Sequence, residues 1–291
     1  MNQPRKVVSH PGLLTEGPCW DTTHQTLYWV DILSHKVHSF VVSSREHKTF
    51  NIGMEVTALA PRQTGGLILA VEKGFATLCF ESGKTTTLCT FEADKPNNRF
   101  NDGKCDPTGR FWAGTMDRSE RHPNGALYRM DKNQQVTSVL SGVTISNGLA
   151  WNPAANVMYY IDTPTRCVDA LDYDNATGEI GNRRSVIRFP PDAGNPDGMA
   201  IDQDGMLWVA EWGGWRVGRW DPVTGKLIES VQLPVARVTA CAFGGPMLDE
   251  LYITTARVGL SETELLKQPL AGHLFVVTTK VRGIASHEYA G

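Results

Sequence analysis

A short apolar-aromatic triplet recurs along the chain: Leu27-Tyr28-Trp29, Leu67-Ile68-Leu69, Arg110-Phe111-Trp112, Met158-Tyr159-Tyr160, Met206-Leu207-Trp208 and Leu251-Tyr252-Ile253. The last members of successive triplets lie 40 to 48 residues apart. Six units at such a period mean stacked supersecondary modules, and they exclude a single-pass α/β fold. The position of a residue within its repeat therefore governs what it can reach.

The fifth unit shows what one repeat contains. Asp197-Gly198 opens it, and Met199–Asp202 reads as a first strand. Turns at Asp204-Gly205, Trp212–Gly214 and Asp221–Gly225 separate three more apolar runs, Leu207–Ala210, Val217–Trp220 and Leu227–Ser230. Asp-Gly and Pro-x-x-Gly chemistry is what tight hairpins need. Four strands in about 45 residues make one propeller blade. The fourth unit repeats the plan from Asn147-Gly148 onward. The predicted fold is thus all-β, a six-bladed β-propeller with four-stranded antiparallel blades that fills residues 1–291 as a single domain. With 28 glycines and 16 prolines in 291 residues, the chain exceeds the roughly 12% of an average protein, as many tight turns require. The last blade is expected to take its third and fourth strands near Gly272–Val277 and Val281–Ile284, with Arg5–Val8 as an alternative outermost strand.

The net charge of −3 comes without a basic run, which argues against nucleic acid as a partner. The six cysteines, at 19, 79, 89, 105, 167 and 241, form no C-x-x-C pair. Several lie in strand-like runs, so reduced buried thiols are expected. No apolar stretch reads as a secretory signal or a membrane span, and the expected location is cytoplasmic.

In a meander wrapped round a channel, every blade opening lies on one face. The openings hold Glu16-Gly17-Pro18, Asn101-Asp102-Gly103, Asn147-Gly148 and Asp197-Gly198. Any one of these is a favoured turn former. Three oxygen donors at the same inward phase are less easily explained as turns. Glu16, Asn147 and Asp197 supply two carboxylates and an amide oxygen, a set suited to one hard divalent cation, Ca²⁺, Mg²⁺ or Mn²⁺. Zn²⁺ is less natural without His or Cys. Glu55 and Thr239 approach the same phase more loosely. Above the mouth lie the loop Asp117–Asn124 and a longer insert from Arg257 to Ala271. In the insert, Ser261-Glu262-Thr263-Glu264 reads as a capping box that opens a short helix at Leu265-Leu266.

These motifs together resemble a known family. Glu16-Gly17-Pro18-x-Trp20, Arg99-Phe100-Asn101-Asp102-Gly103-Lys104, Gly109-Arg110-x-Trp112-x-Gly114-Thr115-Met116, Ser146-Asn147-Gly148-Leu149, Pro196-Asp197-Gly198-Met199 and Asp221–Lys226 are similar to the senescence marker protein (regucalcin), gluconolactonase and luciferin-regenerating enzyme family. The resemblance runs from about Glu16 to the end of the chain. It implies a six-bladed propeller, one divalent cation in the channel and hydrolysis of sugar lactones, from aldonolactone to aldonic acid. It places the metal ligands on Glu16, Asn147 and Asp197, and substrate binding on Arg99, Asn101 and Glu120. Lactone opening needs a polarised carbonyl and an activated water, and Asp197 is the expected catalytic carboxylate. The absence of a Gly-x-Ser-x-Gly elbow disfavours a serine esterase. Two alternatives share the site: a non-enzymatic calcium-binding regulatory protein, and a luciferin-regenerating or phosphotriesterase-type hydrolase. For the latter, Trp212 and Trp215 would supply an apolar mouth.

Overall fold

The computed structural model describes residues 3–291. Six four-stranded antiparallel sheets follow one another round a ring, a six-bladed β-propeller. Their inner strands are Thr15–Asp21, Val56–Pro61, Asn98–Cys105, Ser146–Trp151, Asn195–Ile201 and Val238–Gly244. Each inner strand packs against the next, and the last meets the first. The recurring triplets lie in the second strands, which are almost wholly buried. Trp29, Trp112, Trp208, Tyr160 and Tyr252 thereby join core clusters that span neighbouring blades. Outer strands such as Glu46–Asn51 and Thr85–Thr90 are largely exposed, which explains their polar composition.

The ring closes through the sixth sheet, whose outermost strand is Arg5–Lys6, paired with Phe275–Thr278. The expectation of a fourth strand at Val281–Ile284 is therefore corrected. That segment leaves the sheet and begins a strap across the channel end. Gly283 bridges Asp202 of blade 5, Tyr289 bridges Arg62 of blade 2, and the Ala290 N–H donates to Gly109 O of blade 3 at 3.0 Å. Gly283 packs so closely on Phe243 that a Cβ would lie 1.9 Å from the ring.

Every inner strand carries a register shift near its start: Glu16/Cys19, Val56/Ala58, Phe100/Gly103, Asn147/Leu149, Pro196/Met199 and Val238/Ala240. Asn147-Gly148 and Asp197-Gly198, read from sequence as turns opening a strand, are bulges within one. A bulge bends its strand and re-aims a side chain. Glycine is needed beside it because neighbouring strands crowd the axis. A Cβ on Gly198 would meet Ala240 Cβ at 2.5 Å, and one on Gly148 would meet Asp197 O at 2.8 Å.

The opposite ends of two inner strands are fastened by an aspartate each. Asp106 Oδ2 accepts from Trp112 Nε1 (2.9 Å), Tyr173 Oη (2.7 Å) and Arg110 Nη1 (3.0 Å), while Oδ1 accepts from the Thr108 and Arg110 N–H groups. Asp202 repeats this in blade 5, with Trp208 Nε1 at 2.9 Å, Arg219 Nε at 2.7 Å and the Asp204 and Met206 N–H groups. All six cysteines are free. Among the described residues, no helix is long and apolar enough to cross a membrane.

Candidate metal centre

Glu16, Arg99, Asn101, Glu120, Asn147 and Asp197 all line one cavity of roughly 640 Å³ at the bulged end of the channel. They come from blades 1, 3, 4 and 5, and only the ring brings them together. Glu16, Asn147 and Asp197 are each less than a tenth exposed. Among the described residues, no group of three or more His, Cys, Asp and Glu side chains is arranged to hold a metal. The candidate set differs in kind, because its third donor is an amide oxygen.

The carboxylates here have no ion-pair partner within 4.0 Å among the described residues. Glu16 accepts only from the Gly17 N–H, at 3.0 Å. Burial first, and the Asp102 charge second, push its carboxyl up to about 8. Asp197 is driven well above the ordinary carboxylate range by burial, then by the charges of Glu16 and Asp102. Asp102 itself is raised by burial, with Lys104 and the Gly103 N–H opposing. Glu16 and Asp197, two buried and mutually repelling carboxylates beside the Asn147 amide oxygen, fit a divalent cation, whose charge would remove the penalty. Asp102, which has no role in the sequence reading, lines the cavity at the other end of the channel and acts on Glu16 and Asp197 through its charge.

Arg99 and Asn101 form the cavity's polar wall. Arg99 Nη1 donates to Asn101 Oδ1 and to Phe100 O, both at 2.8 Å. Asn101 Nδ2 donates to Ser146 O at 2.8 Å and lies 3.4 Å from Asn147 Oδ1. Arg99 has no carboxylate within 4.0 Å among the described residues, which leaves its charge directed at the cavity.

Glu120 sits on the exposed loop after Phe111–Asp117, with a φ of 61°. The neighbouring Arg118 anchors that loop by forking onto Glu55 (2.9 and 2.7 Å) and reaching Glu72 (2.9 Å). Glu55 is thus an ion-pair partner. Thr239 Oγ1 donates to Thr15 O at 2.7 Å and belongs to the seam between blades 6 and 1.

Trp212 lines the cavity, and Arg237 stacks over it with 5.0 Å to the ring centroid. Trp215 instead turns outward, 41% exposed. The insert contains the helix Glu262–Lys267 with its Ser261/Glu264 capping box. Gln268 Oε1 ties it down by accepting from the Ala236 N–H at 2.7 Å.

A second cavity, of roughly 780 Å³, lies at the strapped end of the channel. Its walls are mostly apolar and include Cys19, Cys105 and Cys241. Burial pushes the Cys19 thiol up to about 11 and the Cys241 thiol up to about 12. Burial thus favours the protonated thiols, and none of the six candidate site residues lines this cavity.

Residues 14–257 match the family described as SMP-30/Gluconolactonase/LRE-like region. Regucalcin of Homo sapiens is 43% identical over 283 residues, covering 95% of this chain and 94% of the relative. Regucalcin of Xenopus laevis is 42% identical over 291 residues, covering 98% and 97%. Among solved structures, a luciferin-regenerating enzyme superposes with a TM-score of 0.92 at 33% identity, covering 99% of both chains. A calcium-binding regucalcin from Agrobacterium tumefaciens gives 0.94 at 28% identity, covering 99% and 97%. The chain belongs to the SMP-30/gluconolactonase/LRE-like family.

Proposed function

We propose that the protein is a metal-dependent lactonase that opens sugar lactones to the corresponding acids. The observation that carries this reading is the convergence of buried Glu16, Asn147 and Asp197 with Arg99, Asn101 and Glu120 in one cavity. Glu16, Asn147 and Asp197 would hold the cation. When bound, it supplies Lewis acidity at the lactone carbonyl.

The chain's own residues do the rest. Arg99 presents its guanidinium to the hydroxyls and to developing charge on the substrate. Asn101, its NH₂ engaged by Ser146 O and Asn147 Oδ1 and its Oδ1 by Arg99, orients hydroxyls through the remaining lone pair of that oxygen. The Asp197 carboxylate takes a proton from the attacking water and returns it to the ring oxygen as the C–O bond breaks. Glu120, on the loop clamped by Arg118, closes over the exposed side of the sugar. Trp212 and the apolar side chains Leu14, Ile32, Met116 and Ile145 exclude water around it.

The test is a panel of sugar lactones assayed with metal-stripped protein, then with Ca²⁺, Mg²⁺, Mn²⁺ or Zn²⁺ restored. Hydrolysis should vanish on stripping and return with metal. Undiminished hydrolysis after stripping would exclude the metal's role. A second reading, calcium binding without turnover, is favoured by the all-oxygen donor set. It predicts tight Ca²⁺ binding with no hydrolysis of any lactone.

A further inference from the structure

We infer that Thr163 is a positioning residue: it sets which end of the Asn147 amide faces the channel and fastens that ligand to the strand bearing Asp197. The inference rests on the metal-site reading above, in that the amide oxygen is what the cation would use.

An asparagine offers an oxygen on one side and an NH₂ on the other, and only the oxygen can ligate a cation. The surroundings of Asn147 decide between them. Thr163 Oγ1 donates its single proton to Pro196 O at 2.8 Å. Its lone pairs are therefore what faces Asn147, 2.9 Å away, and only Nδ2 can answer them. On the other side, Asn101 Nδ2 lies 3.4 Å from Asn147 Oδ1, a donor facing an oxygen. Both neighbours favour the same orientation, with Nδ2 toward Thr163, where its second N–H serves the Asp197 carboxylate, and Oδ1 on the side of Asn101 in the cavity wall.

The second half of the inference concerns the seam between blades. Asn147 and Asp197 belong to different sheets, and no backbone ladder joins them. The hydroxyl of Thr163 spans the gap: it accepts from the Asn147 side chain and donates to the carbonyl immediately before Asp197. Thr163 is itself well held. It begins a 3₁₀ turn, Thr163–Thr165, with Pro164 just inside the start and Arg166 left-handed at φ 54°. Its N–H donates to Ile145 O at 3.1 Å. The chain Arg99–Asn101–Asn147–Thr163–Pro196 thus links the polar wall to both halves of the donor set.

The experiment compares Thr163→Val, which keeps the shape but neither donates nor accepts, with Thr163→Ser, which keeps the hydroxyl. Calorimetric titration of the metal-free proteins with Mn²⁺ and Ca²⁺ is the main readout. Thr163→Val should bind about 10- to 100-fold more weakly and Thr163→Ser within about threefold of the parent, as expected when a partner that orients a ligand is removed. Unchanged affinity in Thr163→Val overturns the inference and leaves the lactonase reading intact.

A second readout needs no metal. By NMR, the Asn147 side-chain amide protons of the metal-free protein should exchange with water faster in Thr163→Val than in the parent. Failure of the parent to bind any divalent cation would sink the metal-site reading, and equal exchange rates would then overturn the positioning role as well. Should Thr163→Val not fold, Thr163→Ala carries the same comparison.

Discussion

The two ends of the same inner strands hold buried aspartates in opposite circumstances. Asp106 and Asp202, at one end, are fully buried, and each is met by an indole, an arginine and backbone N–H groups. Asp102 and Asp197, four or five residues earlier on those strands, are nearly as buried but have fewer donors: the Gly103 N–H and the nearby Lys104 charge for Asp102, and the Asn147 side chain and Gly198 N–H for Asp197, which also feels the Glu16 charge. Burial alone would raise the Asp106 carboxyl. The bonds from Trp112, the Arg110 N–H, Tyr173 and the Arg110 side chain outweigh it, leaving the group below the ordinary carboxylate value. At the other end nothing outweighs burial. Depth therefore says little about a carboxylate's role, whereas the supply of donors separates one that fastens blades from one available to a cation.

The sharpest way to break this contrast is Asp197→Ala. Metal binding and lactone hydrolysis should both fall to background, while the metal-free protein melts no lower than the parent, since one of three repelling carboxylates has gone. A clearly lower melting temperature in the metal-free state would make Asp197 structural, like Asp202.

The converse substitution, Asp202→Ala, strips a partner from Arg219 and from Trp208 Nε1. It should cost about 3–5 kcal/mol, typical of breaking a buried ion pair, measured by urea unfolding. The fraction that remains folded should bind metal with unchanged affinity. A small stability loss paired with lost metal binding would reverse the assignment of the two ends.

The smallest effect sharpens the comparison through pH. Because the folded-state value of Asp106 is depressed, its contribution is complete above the unfolded value, about pH 4, and is lost as pH falls through the folded value. Asp106→Asn should be less stable than the parent at pH 6. The gap between them should narrow as the pH is taken below about 4. A gap independent of pH would mean that the Asp106 charge contributes nothing.

The repeat made most of this molecule legible. A period held through six units assigns each residue a phase, and phase in a ring is position, so residues up to about 180 apart in sequence could be placed in one cavity. What phase cannot convey is local chemistry that two structures share. Asn147-Gly148 and Asp197-Gly198 suit a turn and a bulge equally, because both need close backbone approach. The strap from Arg282 to Ala290 carries no period, so Val281–Ile284 read as one more strand. Arg118 on Glu55 and Thr163 between two blades are contacts across separate sheets, made from connecting segments with no repeat signal.

The ring is closed by the pairing of Arg5–Lys6 with Phe275–Thr278, segments from opposite ends of the described chain. On a ribosome, the outermost strand of blade 6 emerges first and its sheet-mates last. At roughly 5–20 residues per second, an interval on the order of tens of seconds separates them. Throughout it, the seam of blade 1 that blade 6 later covers has no partner, and unpaired strand edges invite pairing with other chains. The time spent in that vulnerable form is set by the speed of translation, whatever the intrinsic folding rate of any single blade.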